Sequence, residues 1–225
     1  MEPREFHWPM SSFYSRLASL IQPAYTEIAR RADIPAGTMR VLDVGGGDGR
    51  LAVVLASMYP DVPNITTADV AGAMAELARK RIESAGLSER VRSDVQDVHR
   101  LTYEDGAFDF IISFGSMHHW RDPAAALREL DRVLSPGGRF AIGDGYGRPA
   151  FKEIKESVAR FGGTTWTALA YWLGSKDALS LDEVEKAVDE SGVAYLKIEA
   201  EGPKLEVTGT KPMDARSRPR NGNHP

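Results

Sequence analysis

The chain has 225 residues, 42% hydrophobic and 27% charged, with a formal net charge of -4 and no cysteine. That length makes one domain with a core covering roughly 70% of the unfolded surface, and its intermixed charges form no broad basic field for nucleic acid or an anionic membrane. The missing cysteine excludes a disulfide framework, a thiolate nucleophile and any Cys-ligated metal or cluster.

Residues 1–9 carry no apolar run of signal-peptide length, and no stretch approaches the ~18 apolar residues of a membrane span. The expectation is a soluble, cytoplasmic chain without a stable membrane anchor. Residues 1–30 predict one or two helices, with Phe13, Leu17, Leu20 and Ile21 as the apolar set. Residues 39–44 read as a strand, and 50–59 as a helix with Leu51, Val54 and Leu55 on one face. A strand over 64–69 follows, then a helix over 73–85 closed by Gly86, then a short strand over 90–94. Residues 108–113 are apolar at nearly every position, as a parallel strand covered on both faces requires. Asp122 is a good N-cap with Pro123 at the first helical position. Leu127, Leu130 and Leu134 make the buried stripe before Ser135-Pro136-Gly137-Gly138 stops that helix, and 139–143 supply a fifth strand.

Further on, Phe151, Ile154, Val158 and Phe161 share a helix face, and residues 166–173 form an aromatic-rich segment. Ser180 and Glu183 make a capping box for a helix turning Leu181, Val184 and Val188 inward. Residues 193–200 and 204–210 alternate around Gly202-Pro203 as an antiparallel hairpin, and 212–225 have too little apolar content to fold. Parallel strands joined by helices need right-handed crossovers. The pattern predicts an α/β fold: a doubly wound, mostly parallel, Rossmann-like sheet of seven strands with a C-terminal antiparallel hairpin, in a single domain over 1–211.

The most informative segment is Val41-Leu-Asp-Val-Gly-Gly-Gly-Asp-Gly-Arg-Leu-Ala52. Four glycines between a strand and a helix let backbone approach a ligand more closely than side chains permit. Arg50 stands where a dinucleotide fingerprint needs its third glycine, and no Lys-Ser/Thr follows as a P-loop requires. The pattern that holds is DxGxGxG, carried by Asp43, Gly45, Gly47 and Gly49. Asp69, at the end of the next strand, can accept both hydroxyls of a ribose.

With Ser93-Asp94-Val95, Phe108-Asp109 and the block 126–138 (ALRELDRVLSPGG) in the same order and spacing, residues 36–145 resemble the class I S-adenosylmethionine-dependent methyltransferases. The resemblance is to the methyltransferase 11/25-like branch, which often carries a His-rich turn like Met117-His-His-Trp120. It implies S-adenosyl-L-methionine as cofactor, S-adenosyl-L-homocysteine as product, and a small organic molecule with an O- or N-acceptor as methyl acceptor. It further implies that Gly45, Gly46, Gly47 and Gly49 hold the amino-acid end with Asp43 supporting the loop, and that Asp69 binds the ribose. Val70 and Met74 belong to the same cofactor site, Asp94 accepts from the adenine amino group while the Val95 amide donates to the ring, and Phe114 contacts the methionine moiety. Residues 1–35 become a helical cover whose Tyr14 and Tyr25 can reach the methionine carboxylate, and 145–178 a substrate lid. Gly46 and Asp48 depart from the family's commoner Cys/Ser/Ala and Thr/Ser.

His118 and His119 lie past the fourth strand, where open α/β sheets bind ligands. An imidazole there can take the proton that an acceptor hydroxyl or ammonium must lose. His119 is preferred slightly over His118, against the alternative that the pair and Trp120 only wall the pocket. Asp144, Tyr146, Trp166 and Tyr171 are candidates for the acceptor pocket, while Asp109 reads as a structural acid bonded to local backbone. Adjacent histidines diverge and no Asp/Asp/Asn set accompanies them, so no metal is expected. No Asn/Asp-Pro-Pro-Tyr/Phe motif follows the fourth strand, which argues against nucleic-acid bases as acceptors. The expected state is a monomer or homodimer. Two alternatives stay open: a quinone- or lipid-type C-methyltransferase, and a non-catalytic S-adenosylmethionine-binding protein.

Overall fold

In a computed structural model, residues 22–145, 151–160, 178–201 and 204–213 are described. Expectations for residues 1–21, 146–150, 161–177 and 214–225 lie outside them, including those for Tyr14, Tyr146, Trp166 and Tyr171. Seven strands are β1 (Arg40–Val44), β2 (Asn64–Asp69), β3 (Val91–Val95), β4 (Phe108–Phe114), β5 (Leu134–Gly145), β6 (Leu196–Glu201) and β7 (Lys204–Thr210). They form one sheet in the order β3-β2-β1-β4-β5-β7-β6. β1 to β5 pair in parallel, and β7 runs antiparallel to both β5 and β6. The predicted doubly wound sheet with a C-terminal hairpin is the observed one.

The helices are α1 (Gln22–Ala32), α2 (Arg50–Met58), α3 (Gly72–Ser84), α4 (Pro123–Val133), α5 (Phe151–Arg160) and α6 (Leu181–Ser191). Because successive strand side chains point to opposite faces, the sheet divides the core in two. Val41, Phe110 and Ile112 pack with Ala29 of α1, Leu51 and Leu55 of α2 and Ile82 of α3. Leu42, Val44 and Ile111 pack with Leu127 and Leu130 of α4 and Val184 of α6. Local signals set the helix starts. Asp122 Oδ1 accepts the Ala125 N–H at 2.9 Å, with Pro123 following. Ser180 and Glu183 complete their capping box through bonds of 2.7 and 3.3 Å. Each such cap is worth about 1 kcal/mol.

Leu181 and Val188 pack against the core around fully buried Val184, as expected. One expectation needs correction. The segment 135–138 does not merely stop α4, since β5 already begins at Leu134 and shifts register against β4 between Phe108 and Phe110. The cause is a distant partner. Gly137 N–H donates to Lys211 O at 2.9 Å and Lys211 N–H to Gly138 O at 2.8 Å. The Lys211 ammonium meanwhile closes the end of α4 through Asp131 O and Leu134 O, at 2.6 and 2.9 Å.

The strand order reverses between β1 and β4, so the loops that follow these two strands open away from each other and leave a crevice. Residues 45–49 and 115–119 are those loops. Among the described residues no helix is long and apolar enough to cross a membrane.

Candidate functional site

The glycine loop is packed so tightly that side chains have no room in it. Gly45 and Gly46 both donate their N–H to Ala68 O, at 2.8 and 3.1 Å, clamping the loop onto the end of β2. A Cβ on Gly46 would overlap Thr67 Oγ1 and Asp43 Oδ2, and one on Gly45 would overlap the Ser116 side chain. At Gly49, φ is 76° and a Cβ would stand 2.9 Å from Ala78 of α3, so this position needs glycine on both counts. Buried Met74 lies beneath Gly47. Asp48 turns away from the crevice: its Oδ2 meets Arg50 Nε at 3.1 Å and Arg81 Nη2 at 2.7 Å, while Arg81 Nε donates to Asp48 O at 2.9 Å. The departure at position 48 is thus a tie between the loop, α2 and α3. Arg81 could not be singled out from the sequence, because nothing local links it to a residue 33 positions earlier.

Two acids anchor the floor and rim. Asp43 is 1% exposed; its Oδ2 accepts from Thr67 Oγ1 at 3.1 Å, and its Oδ1 has no hydrogen-bond partner among the described residues. Loss of hydration pushes the Asp43 carboxyl up to about 7, against the lowering effect of Thr67, and the neighbouring Asp69 adds to the rise. Asp69 accepts the Gly47 N–H at 3.0 Å and the Ala71 N–H at 2.9 Å, one on each oxygen. Its carboxyl is also raised by burial, with the two amides opposing.

Beside them, Asp94 ends β3 with Oδ2 accepting from the Tyr103 hydroxyl at 2.8 Å. Val70 and Val95, 49% and 51% exposed, are large apolar residues facing solvent at the carboxyl ends of β2 and β3, where Asp69 is registered with Val95. An apolar pair flanked by one acid for hydroxyls and another for an amino group suits a nucleoside. Phe114, half-buried at the end of β4, meets Tyr25 of α1 edge-on with centroids 6.4 Å apart. Together with a loop whose backbone lies bare, these residues fit S-adenosylmethionine.

Across the crevice, a short 3-10 turn (Met117–His119) follows β4. His118 Nδ1 lies 2.9 and 3.1 Å from the two Asp144 oxygens, and the His118 backbone N–H also donates to Asp144 Oδ2 at 3.1 Å. The side chains are 16% and 4% exposed. Because a carboxylate oxygen accepts, the neutral imidazole that fits this pair is the tautomer with its hydrogen on Nδ1 and its lone pair on Nε2. Asp144 is thus a hydrogen-bond partner of His118. The His119 ring packs on that of His118, with centroids 3.9 Å apart. Trp120 is buried in the core between β4 and α4. Asp109 is a structural acid, but its partners are not local: it accepts from the Met39 and Arg40 N–H groups, 70 and 69 positions away, and pairs with the Arg40 guanidinium at 2.8 Å. Among the described residues no cluster of three or more His, Asp or Glu could hold a metal ion.

Residues 42–142 match the family described as the methyltransferase domain. The methyltransferase GfsG of Streptomyces halstedii is 32% identical over 209 residues, covering 93% of this chain and 72% of that protein. The 27-O-demethylrifamycin SV methyltransferase of Amycolatopsis mediterranei is 36% identical over 105 residues, 47% of this chain and 38% of that one. The ubiquinone/menaquinone biosynthesis C-methyltransferase UbiE of Geotalea daltonii is 32% identical over 136 residues, 60% of this chain and 57% of that one. Among solved structures, a candidate S-adenosyl-L-methionine-dependent methyltransferase from Methanococcus maripaludis superposes with a TM-score of 0.77 at 27% identity, covering 94% of this chain and 96% of that one.

Proposed function

Since the chain belongs to the class I S-adenosylmethionine-dependent methyltransferases, we propose that it methylates a hydroxyl group of a small organic molecule, with His118 as general base and Asp144 holding its tautomer. The observation that carries this reading is the His118–Asp144 pair at the carboxyl ends of β4 and β5. S-adenosylmethionine, when bound, supplies an electrophilic sulfonium methyl group. Gly45, Gly46, Gly47 and Gly49 cradle its amino-acid end, Asp69 accepts from the ribose, Asp94 takes the adenine amino group between Val70 and Val95, and Phe114 borders the methionine chain. Asp43 and Met74 support the loop from beneath.

A hydroxyl is a poor nucleophile until its proton leaves, and a neutral imidazole Nε2 can remove that proton. Asp144 keeps the hydrogen on Nδ1 and stabilises the imidazolium that results, as an orienting carboxylate does in other His-based sites. Positioning of the acceptor in line with the methyl group, with water excluded, supplies the rest of the acceleration. The relative named for a 27-O-demethylated substrate supports a hydroxyl acceptor. The likeness to a quinone C-methyltransferase favours, as second reading, a phenolic ring carbon.

The test couples S-adenosylhomocysteine release to a panel of phenols, glycosyl hydroxyls and polyketide hydroxyls, with a demethylquinol as the carbon acceptor. Turnover on a hydroxyl that falls by about 10²–10⁴-fold in His118→Ala, and markedly in Asp144→Asn, is expected. Methylation of the quinol carbon alone would establish the second reading. Unchanged turnover of His118→Ala across pH 6 to 9 would remove His118 as the base.

A further inference from the structure

The loop between β3 and β4 is bonded more heavily than a connector needs. Arg132 of α4 donates to Leu101 O and Tyr103 O at 3.0 and 2.9 Å, and pairs with Glu129 and Asp105, both at 2.7 Å. Glu129 in turn accepts the Leu101 N–H at 2.8 Å. Gln96 and Thr102 bond each other twice across the loop, at 2.8 and 3.1 Å. His99 Nε2 accepts the Asp122 N–H at the head of α4, at 3.1 Å.

The product of this bracing is one placement. The Tyr103 ring sits edge-on against Phe108, with centroids 4.9 Å apart at 85°, and its hydroxyl donates to Asp94 Oδ2. Burial, and then the Asp94 carboxylate, raise the Tyr103 phenol far above its ordinary value, so it remains a donor throughout the physiological range. Arg92 Nε, on a largely exposed side chain, approaches the same Asp94 oxygen at 3.4 Å. Both of these donors address Oδ2, and no hydrogen bond to Oδ1 is made among the described residues.

We propose that Tyr103 is a positioning residue that holds the Asp94 carboxylate so that Oδ1 accepts from the 6-amino group of the cofactor, making the site select a 6-aminopurine over a 6-oxopurine. The proposal rests on the reading of Asp94 as the adenine contact. A carboxylate is acceptor-only, so it pairs with an amino group and opposes a carbonyl. Sites built around one such hydrogen bond reject the mismatched ligand strongly, because the polar groups are left unpaired. Without the phenol the carboxylate is free to turn toward Arg92 and solvent, and the angular demand on the purine relaxes.

The experiment is calorimetric titration of the full chain with S-adenosyl-L-homocysteine and with S-inosyl-L-homocysteine, its 6-oxo counterpart, for wild type, Asp94→Asn and Tyr103→Phe. Tyr103→Phe keeps the ring on Phe108, and its urea midpoint checks that it folds. Wild type is expected to prefer the adenosyl ligand by on the order of 100-fold or more, as for sites that read one polar group. Asp94→Asn should abolish that ratio, and Tyr103→Phe should cut it by about tenfold, a change of about 1.4 kcal/mol. No preference in wild type, or an undiminished ratio in Asp94→Asn, would overturn the adenine assignment of Asp94 and this proposal with it. A ratio lost in Asp94→Asn but intact in Tyr103→Phe would overturn the role of Tyr103 alone. A urea-folded Tyr103→Phe that weakens both ligands equally would do the same, because a merely structural role moves affinity without moving the ratio.

Discussion

Asp43→Asn should make the protein less sensitive to alkaline pH, and the size of the effect follows from how the carboxyl is held. Asp43 is 1% exposed with one oxygen unpartnered among the described residues, and its carboxyl rises from 3.8 to about 7. Between these two values the native state keeps the proton while the unfolded chain has lost it, so the native state binds more protons and stability falls as pH rises. The slope is about 1.4 kcal/mol per pH unit for one proton. From pH 5 to pH 8 the wild type should therefore lose about 3 kcal/mol that Asp43→Asn, which has no proton to lose at this position, retains. At a urea m-value of about 2–3 kcal/mol/M, the gap between the two midpoints should widen by about 1 M in favour of the variant. Urea denaturation of both proteins without ligand at pH 5, 6, 7 and 8 measures this directly. Parallel midpoints across that range would refute the reasoning, because they would mean that the buried carboxyl is ionised at pH 5 or hydrated in the native state.

Gly46→Ala should lower stability by about 1–3 kcal/mol, the cost of forcing a methyl into a packed core, because its Cβ would overlap Thr67 Oγ1 and Asp43 Oδ2. An unchanged urea midpoint would show that the two side chains yield freely. Val70→Ser and Val95→Ser, at half-exposed positions, should leave that midpoint within about 0.5 kcal/mol of wild type. Each should nevertheless weaken S-adenosylhomocysteine several-fold by calorimetry, and unaltered affinity in both would remove the apolar pair from the nucleoside site.

The elements that carry the cofactor residues were legible because their signals are local. The near-continuous apolar run over 108–113, the Asp122-Pro123 start and the Ser180/Glu183 box each lie within one turn or strand, and each stands where expected. The glycine loop was legible for a related reason: backbone this close to β2 and α3 tolerates no Cβ at Gly46 or Gly49. The helix stops before 135–138 as expected, but the pairing of this turn is not legible locally because its partner, Lys211, comes from the far end of the chain.

The sequence by itself determined a parallel sheet, a glycine-lined crevice and acids at the ends of β2 and β3, since periodicity, capping and steric exclusion operate between near neighbours. Tertiary structure alone decided that His118 has a carboxylate beside it. The register of β4 against β5 brings Asp144 to His118 across 26 positions, whereas by spacing either ring could serve. The same holds for Arg81 on Asp48 and for Tyr103 on Asp94, whose partnership depends on a loop braced by Arg132 of α4. Such pairs are set by where strands and helices pack, and packing is a property of the whole chain.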